Sequence, residues 1–234
     1  MTIKAITSEL EMHGCLVMSS GIVKSNTRRK LDLEEFRGFA IADEIAPLVF
    51  INANDSKAGR IFSLIHEFGH VLLGKSGISD SSSNDVPQDS ASHSQDELWC
   101  NALAAEFLVP ESYIKVQFQK GISPRRVNEV ARITKASTLV VIKQLFKVGL
   151  IGWDEYEELY TTELKHLQAN LANAAKKSGG DYYRTQVSRL SRNFVRAVIS
   201  DTLSGRTLHR DAYDLLGTKK SATFEKLASS VGLA

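Results

Sequence analysis

Cysteine is scarce in this 234-residue chain, and the two present, Cys15 and Cys100, are too few for a disulfide framework. They do not make a zinc finger either. Apart from one paired motif, the N-terminal part holds only His13 and His93, and no Cys/His set recurs at finger spacing. No apolar run approaches the roughly 20 residues that a helix needs to cross a bilayer. The opening segment, MTIKAITSELEMHG, lacks the apolar stretch of a secretory leader. These absences predict a cytoplasmic protein with no membrane partner. Nor does one charge dominate: 29 Lys and Arg against 27 Asp and Glu leave a net of +2, so the whole chain is not a polycation. The rest is ordinary for a soluble globular protein, 43% hydrophobic and 24% charged, enough to bury a sizeable core without staples. The length allows one large domain or two small ones, and no repeat appears at solenoid spacing.

Hydrophobic periodicity places the elements. Residues 3–13 read as a short helix. CLVMS at 15–19, GFAIA at 38–42 and PLVFIN at 47–52 read as strands bounded by turn-type or charged residues. Residues 56–73 put Ile61, Leu64, Ile65, Phe68, Val71 and Leu72 at helical spacing, with Asp55 or Ser56 as N-cap and Gly74 as the stop. The Ser-, Asp- and Asn-rich run 75–95 reads as a surface loop. A helix over about 95–109 ends before Pro110. Beyond residue 120 the signal is almost wholly helical: 124–135, 137–149, 154–177, 182–203, 207–216 and 222–229.

The most informative segment is His66-Glu67-Phe68-Gly69-His70. Histidines four apart lie one above the other on a helix. At that spacing two neutral imidazoles can reach one Zn²⁺, and the Glu between them can take a proton from a water that the metal polarises. The bland alternative is a core helix with two surface histidines. A catalytic zinc wants a third protein ligand and an open position. Glu97 is the candidate. Its helix face also carries Asn101, with the small residues Ala104 and Ala105 beyond, which let two helices approach. The run Ser94-Gln95-Asp96-Glu97 equally fits a capping box, in which Glu97 merely caps its own helix.

The HEFGH helix followed by ExxCNALAAEFLVP (Glu97 to Pro110) resembles the ImmA/IrrE metallopeptidases, and FRGFAIAD (36–43) and PLVFIN resemble the segment before that family's active helix. The stretch from Gly179 to Leu216 is similar to a branch found in phage and mobile-element operons. The resemblance implies His66, His70 and Glu97 as zinc ligands and Glu67 as general base. It implies an α+β, gluzincin-like zincin with a small antiparallel sheet over two active-site helices, followed by a mostly helical C-terminal region. It further implies cleavage or inactivation of a helix-turn-helix repressor, releasing stress, mobile-element or phage-defence genes. Only some 35 residues precede the FRGFA strand, too few for the repressor-like domain many relatives carry, so a separately encoded repressor is the expected partner. The expected organisation is a peptidase domain over 1–118, a helix-turn-helix-like segment packed on it over 119–152, and a helical region over 153–234.

Further candidates follow from chemistry. An oxyanion donor is His93 or Tyr113, against an ordinary surface or packing role for each. The strand at 47–52 could add an extended substrate as a further strand. Residues 120–152 carry Lys120, Arg125, Arg126, Arg132, Lys135, Lys143 and Lys147 against Glu129 alone. On a helix-turn-helix pattern this is a nucleic-acid footprint through Arg125, Arg126 and Lys143. The favoured reading is instead a small helical subdomain packed on the peptidase, with Val140, Val141, Leu145 and Phe146 as core; DNA is then at most an indirect partner. Arg184, Arg189, Arg192 and Arg196 lie along one helix, the last three sharing a face that is either solvated or a docking surface. Cys100 reads as a small buried residue, and Trp99 and Trp153 as packing. The functional readings are a zinc endopeptidase acting on a repressor, a zinc-bound anti-repressor or toxin–antitoxin component that works by binding, and a DNA-binding regulator with a structural metal. Three visible ligands rather than four favour the first.

Overall fold

Alternating apolar residues in four short segments build the sheet on which everything else is laid. In the computed structural model, which describes residues 2–23, 26, 28–79, 95–173 and 189–233, these are β1 (Leu16–Ser20), β2 (Gly38–Ile41), β3 (Leu48–Asn52) and β4 (Gly77–Ser79). Their order is β1-β3-β2-β4. β2 pairs antiparallel with β3, with Phe39 opposite Phe50, and with β4, with Phe39 opposite Ile78. Val17, Ala40, Val49 and Ile51 turn to the inner face and are buried.

The expected all-antiparallel sheet is corrected in one place: β1 and β3 run parallel, from Leu16 opposite Leu48 to Ser20 opposite Asn52. The segment between β1 and β2 is tied to the end of β3 by side-chain amides, Asn54 Nδ2 donating to the carbonyls of Gly21 (2.9 Å) and Leu31 (2.7 Å). Asn52 Nδ2 does the same to Asp32 and Phe36, at 3.2 Å each. β3 lies between β1 and β2. β4 was not foreseen, because three residues inside a polar run carry no alternation signal; residues 80–94 lie outside the described residues.

α1 (Ile3–Met12) is capped by Thr2 and turns Ile6 and Leu10 inward. α2 (Lys57–Leu72) crosses the inner face of the sheet. Of its two candidate caps Ser56 does the work, accepting from Gly59 N at 2.9 Å, while Asp55 meets Arg37 at 3.4 Å. Ile61, Leu64 and Ile65 are buried, whereas Leu72, in the last turn, is exposed. Gly74 at φ +65° ends the helix, a left-handed conformation that favours glycine. α3 (Gln95–Leu108) lies beside α2, and a short α4 (Glu111–Gln117), absent from the sequence reading, follows Pro110.

α5 (Pro124–Thr134), α6 (Thr138–Lys147) and α7 (Trp153–Asn173) complete the first core, which runs without interruption from Ile6 to Tyr160. Val140, Val141 and Leu145 are buried as expected, and Phe146 is half-buried against the rings of Trp153 and Tyr156. Of the α6 side chains Lys147 is exposed and Leu139, Lys143 and Phe146 are half-buried, while the rest of the helix is turned into the core. Tyr156 and Tyr160 belong to this core, so the first half of α7 sits with the sheet rather than with the C-terminal helices.

α8 (Arg192–Leu203), α9 (His209–Leu215) and α10 (Ser221–Val231) enclose a second core of Val195, Ile199, Ala212, Leu216, Phe224 and Leu227. The single helix expected over 182–203 does not hold. Ser191 caps α8, and the helix is interrupted at residues 190–191. Arg189 therefore does not share a continuous face with Arg192 and Arg196; Arg184 lies outside the described residues. Glu11 of α1 ties the two cores together. Its carboxylate accepts from Ser191 Oγ at 2.5 Å and Arg192 N at 2.8 Å, and its carbonyl from Asn193 Nδ2 at 2.7 Å. No helix among the described residues is long and apolar enough to cross a membrane.

Candidate metal centre

Two helices meet at the centre because small residues let them. A Cβ on Gly69 would fall 2.9 Å from Cys100 Sγ, so α2 and α3 approach closely only with glycine there. Cys100 and Ala104 on the facing side are fully buried. The close approach brings Glu97, in the first turn of α3, to the histidines of α2. Both imidazoles are almost wholly buried. His66 Nε2 stands 3.2 Å from Glu97 Oε2, His70 Nε2 stands 3.1 Å from Glu97 Oε1, and the two Nε2 atoms are 3.2 Å apart. Both Glu97 oxygens are thus turned to histidines. The capping-box alternative involves Ser94, which lies outside the described residues.

Groups at such distances are joined by a proton on a ring nitrogen or by a cation in its place. Taken with one ligand atom from each residue, the donor atoms of His66, His70 and Glu97 all lie within 4.8 Å of one another, and the three form a group that could hold a metal ion. The fourth corner is left for water or substrate. Asn101, one turn after Glu97, completes the arrangement. Its Oδ1 lies 2.9 Å from His66 Nδ1, so the ring donates from Nδ1 and keeps the Nε2 lone pair for the metal. The sequence placed Asn101 on the Glu97 face but gave it no role; its spacing of four from a ligand was the available signal.

The electrostatics agree with mutual attraction across the triangle. A hydrogen bond with the Cys100 side chain and, next, one with Glu97 push His70 up to about 10 against the opposing pull of burial. Hydrogen bonds from His66 and His70 hold the Glu97 carboxyl well below the usual carboxylate range. A proton on His70 can stand where a cation would, and cation and proton then compete for the same lone pairs.

Glu67 is fully buried between the two histidines along α2, its carboxylate against Gly38 of β2. The other sequence candidates lie elsewhere. Tyr113 is on α4, packed against the first core, and no described hydrogen bond joins it to the triangle. His93 lies outside the described residues. Arg125 is exposed on α5. Arg126 is committed to the α4–α5 corner, donating to Gln117 O at 3.1 Å, Gln117 Oε1 at 2.6 Å and Glu129 Oε2 at 2.8 Å. Lys143 is half-buried, its Nζ 5.4 Å over the Tyr160 ring. Trp99, expected to pack, is 43% exposed.

Residues 10–146 match the IrrE N-terminal-like domain of the M78 peptidases. This stretch holds the sheet, the metal-centre residues and nearly all of α6. Residues 190–230 match a domain of unknown function, DUF8813, which coincides with the second core. No curated protein matches the chain.

Proposed function

The chain belongs to the M78 peptidase family of IrrE N-terminal-like domains, and from that membership we propose that it is a zinc-dependent endopeptidase whose substrate is a separately encoded helix-turn-helix repressor. The observation that carries the reading is the cluster of His66, His70 and Glu97, whose ligand atoms lie within 4.8 Å of one another, in a family of metallopeptidases. The fold is read as gluzincin-like: two helices supply the ligands, and a small sheet covers them.

His66 and His70 would hold zinc through Nε2 and Glu97 through its carboxylate, with Asn101 fixing the His66 ring. Zinc supplies Lewis acidity, which lowers the pKa of water and polarises a peptide carbonyl. Glu67 is the general base. It takes the proton of the attacking water and hands it to the departing amine, both steps by one carboxylate held in a water-poor pocket. An extended substrate needs a free strand edge. β3, the strand expected for this, has neighbours on both sides. Among the described strands β1 and β4 are at the edges, and of the two Gly77 of β4 lies against the His70 ring, 3.6 Å from a Cβ built on it. We therefore assign the substrate to β4. Because α6 is built into the core, the reading gives DNA no direct role at that segment.

The test incubates the zinc-loaded chain with the repressor encoded beside it and maps products by mass spectrometry. One internal cut is expected, and Glu67→Gln should slow it by about 10²–10⁴-fold with zinc retained. Cleavage by Glu67→Gln at the wild-type rate removes the mechanism. Repressor bound but uncut by wild type favours the anti-repressor reading.

A further inference from the structure

We propose that Gly38 is the positioning residue for the general base, a seat in which only the absence of a side chain leaves room for the Glu67 carboxylate. The proposal rests on the reading of Glu67 as the base. Residue alternation turns positions 38 and 40 of β2 toward α2 and positions 39 and 41 away. Gly38 is buried on that inner side and is paired on both flanks, with Ile51 of β3 and Ser79 of β4. A Cβ built on it would stand 2.8 Å from Glu67 Oε1, 2.9 Å from Glu67 Cγ and 2.9 Å from the Phe50 carbonyl oxygen. Those are not distances a carbon keeps, so something must move.

Two ladders hold β2 at this residue, so the Phe50 carbonyl can give only a few tenths of an ångström, and the end of the Glu67 side chain must move further. It is fully buried, and it belongs to the helix that carries both histidines, so a displaced Glu67 loses its place beside the ligands. Ala40, the next inward residue on the same strand, is buried and already carries a methyl group. The requirement for glycine is therefore local to the seat formed by Glu67 and the Phe50 carbonyl and is not general to the face. Misplacing a reacting group by about 1 Å costs on the order of 10²-fold, so the missing methyl is worth as much as many direct contacts.

The experiment uses the zinc-loaded full chain and acetohydroxamic acid. This probe takes a metal through its oxygens and offers a proton to an adjacent carboxylate. Gly38→Ala and Glu67→Gln are each expected to weaken its binding by about tenfold to a hundredfold, the loss of one charge-assisted hydrogen bond. The double variant should be no weaker than Glu67→Gln alone, zinc content should stay at the wild-type level, and Ala40→Gly should bind as wild type does. Wild-type affinity in Gly38→Ala overturns the proposal, as do losses that multiply in the double variant. Unchanged affinity in Glu67→Gln removes the base reading and this one with it; loss in Glu67→Gln alone removes only this one. A second readout needs no probe. Adding Glu67→Ala to Gly38→Ala should restore part of any lowered melting temperature, because it removes the carboxylate the methyl strikes. No restoration places the conflict at the Phe50 carbonyl and overturns the assignment.

Discussion

Two polar clusters border the first core, one running from buried Gln144 out to surface charges and one buried between α2 and α3, and they are built on opposite principles. Around Gln144 of α6, donors meet acceptors. Its Nε2 donates to the Val109 carbonyl at 2.7 Å and to Glu106 Oε2 at 3.3 Å. Lys147 Nζ reaches Glu111 Oε1 at 3.0 Å, and Glu111 N donates to Glu106 Oε1 at 3.1 Å. That cluster closes on itself and pins the corner between α3 and α4. At His66, His70 and Glu97 two ring nitrogens and a carboxylate converge, with contacts of 3.1–3.2 Å. Such buried groups are costly unless something positive joins them, a proton on His70 or a cation in its place. What tells a binding centre from a structural knot is whether the positive partner can be exchanged for a metal or is an amide or ammonium group fixed by the chain.

The contrast can be broken most forcefully by removing a ligand. Glu97→Ala should lose its zinc on dialysis against a weak chelator that leaves the wild type loaded, read as metal per chain by inductively coupled plasma mass spectrometry, while binding under excess zinc persists through the remaining ligands. A chain that still carries one zinc after that dialysis would move the centre elsewhere. Next in size is pH. Since His70 is pushed up to about 10, zinc must displace its proton at neutral pH. Apparent zinc affinity should rise about tenfold per pH unit between pH 7 and 9, measured by competition with a chelator; a flat profile contradicts the shared lone pair.

The same shifts set the stability of zinc-free protein. The raised His70 contributes fully below its ordinary 6.5, and that contribution fades as pH climbs through about 10. The depressed Glu97 contributes above its ordinary 4.5 and loses this as pH falls. Zinc-free protein should therefore melt highest between those limits, and zinc should raise the melting temperature most on the alkaline side.

Asn101→Ala keeps all three ligands and frees the His66 ring, so zinc should bind about 10–100-fold more weakly. The smallest effect belongs to the other cluster. Gln144→Ala strands the Val109 carbonyl and should cost about 1–3 kcal/mol of stability in chemical denaturation, with zinc affinity unchanged. A large zinc effect from Gln144, or none from Asn101, would erase the distinction between the clusters.

How much of this was legible in the chain differs along the same line. His66, Glu67 and His70 announce themselves by spacing, because a helix turns sequence distance into direction; spacing alone left Glu97 open to a capping box, and the resemblance singled it out. The core faces of α2 and α6 were legible for the same reason, Leu72 excepted. Pairing between strands is not written locally. The parallel match of β1 with β3 joins residues about 30 apart, and β4 is too short to show a period. The helix-turn-helix pattern at 124–149 was real as two helices around a turn. The favoured reading of a subdomain packed on the peptidase agrees with its apolar side chains in the first core, and Arg126 and Lys143 are engaged with Gln117, Glu129 and Tyr160. Gly38 was invisible as a functional residue, because what it contributes is the space left by a missing methyl group.

X-ray absorption at the zinc edge tests the central claim most directly. The zinc-loaded chain should show only nitrogen and oxygen neighbours at about 2.0–2.1 Å, with the outer-shell signature of two imidazoles that falls to one in His70→Ala. A sulfur neighbour at about 2.3 Å, which Cys100 or Cys15 would have to supply, or an imidazole signal unchanged in His70→Ala, would contradict a centre made of His66, His70 and Glu97.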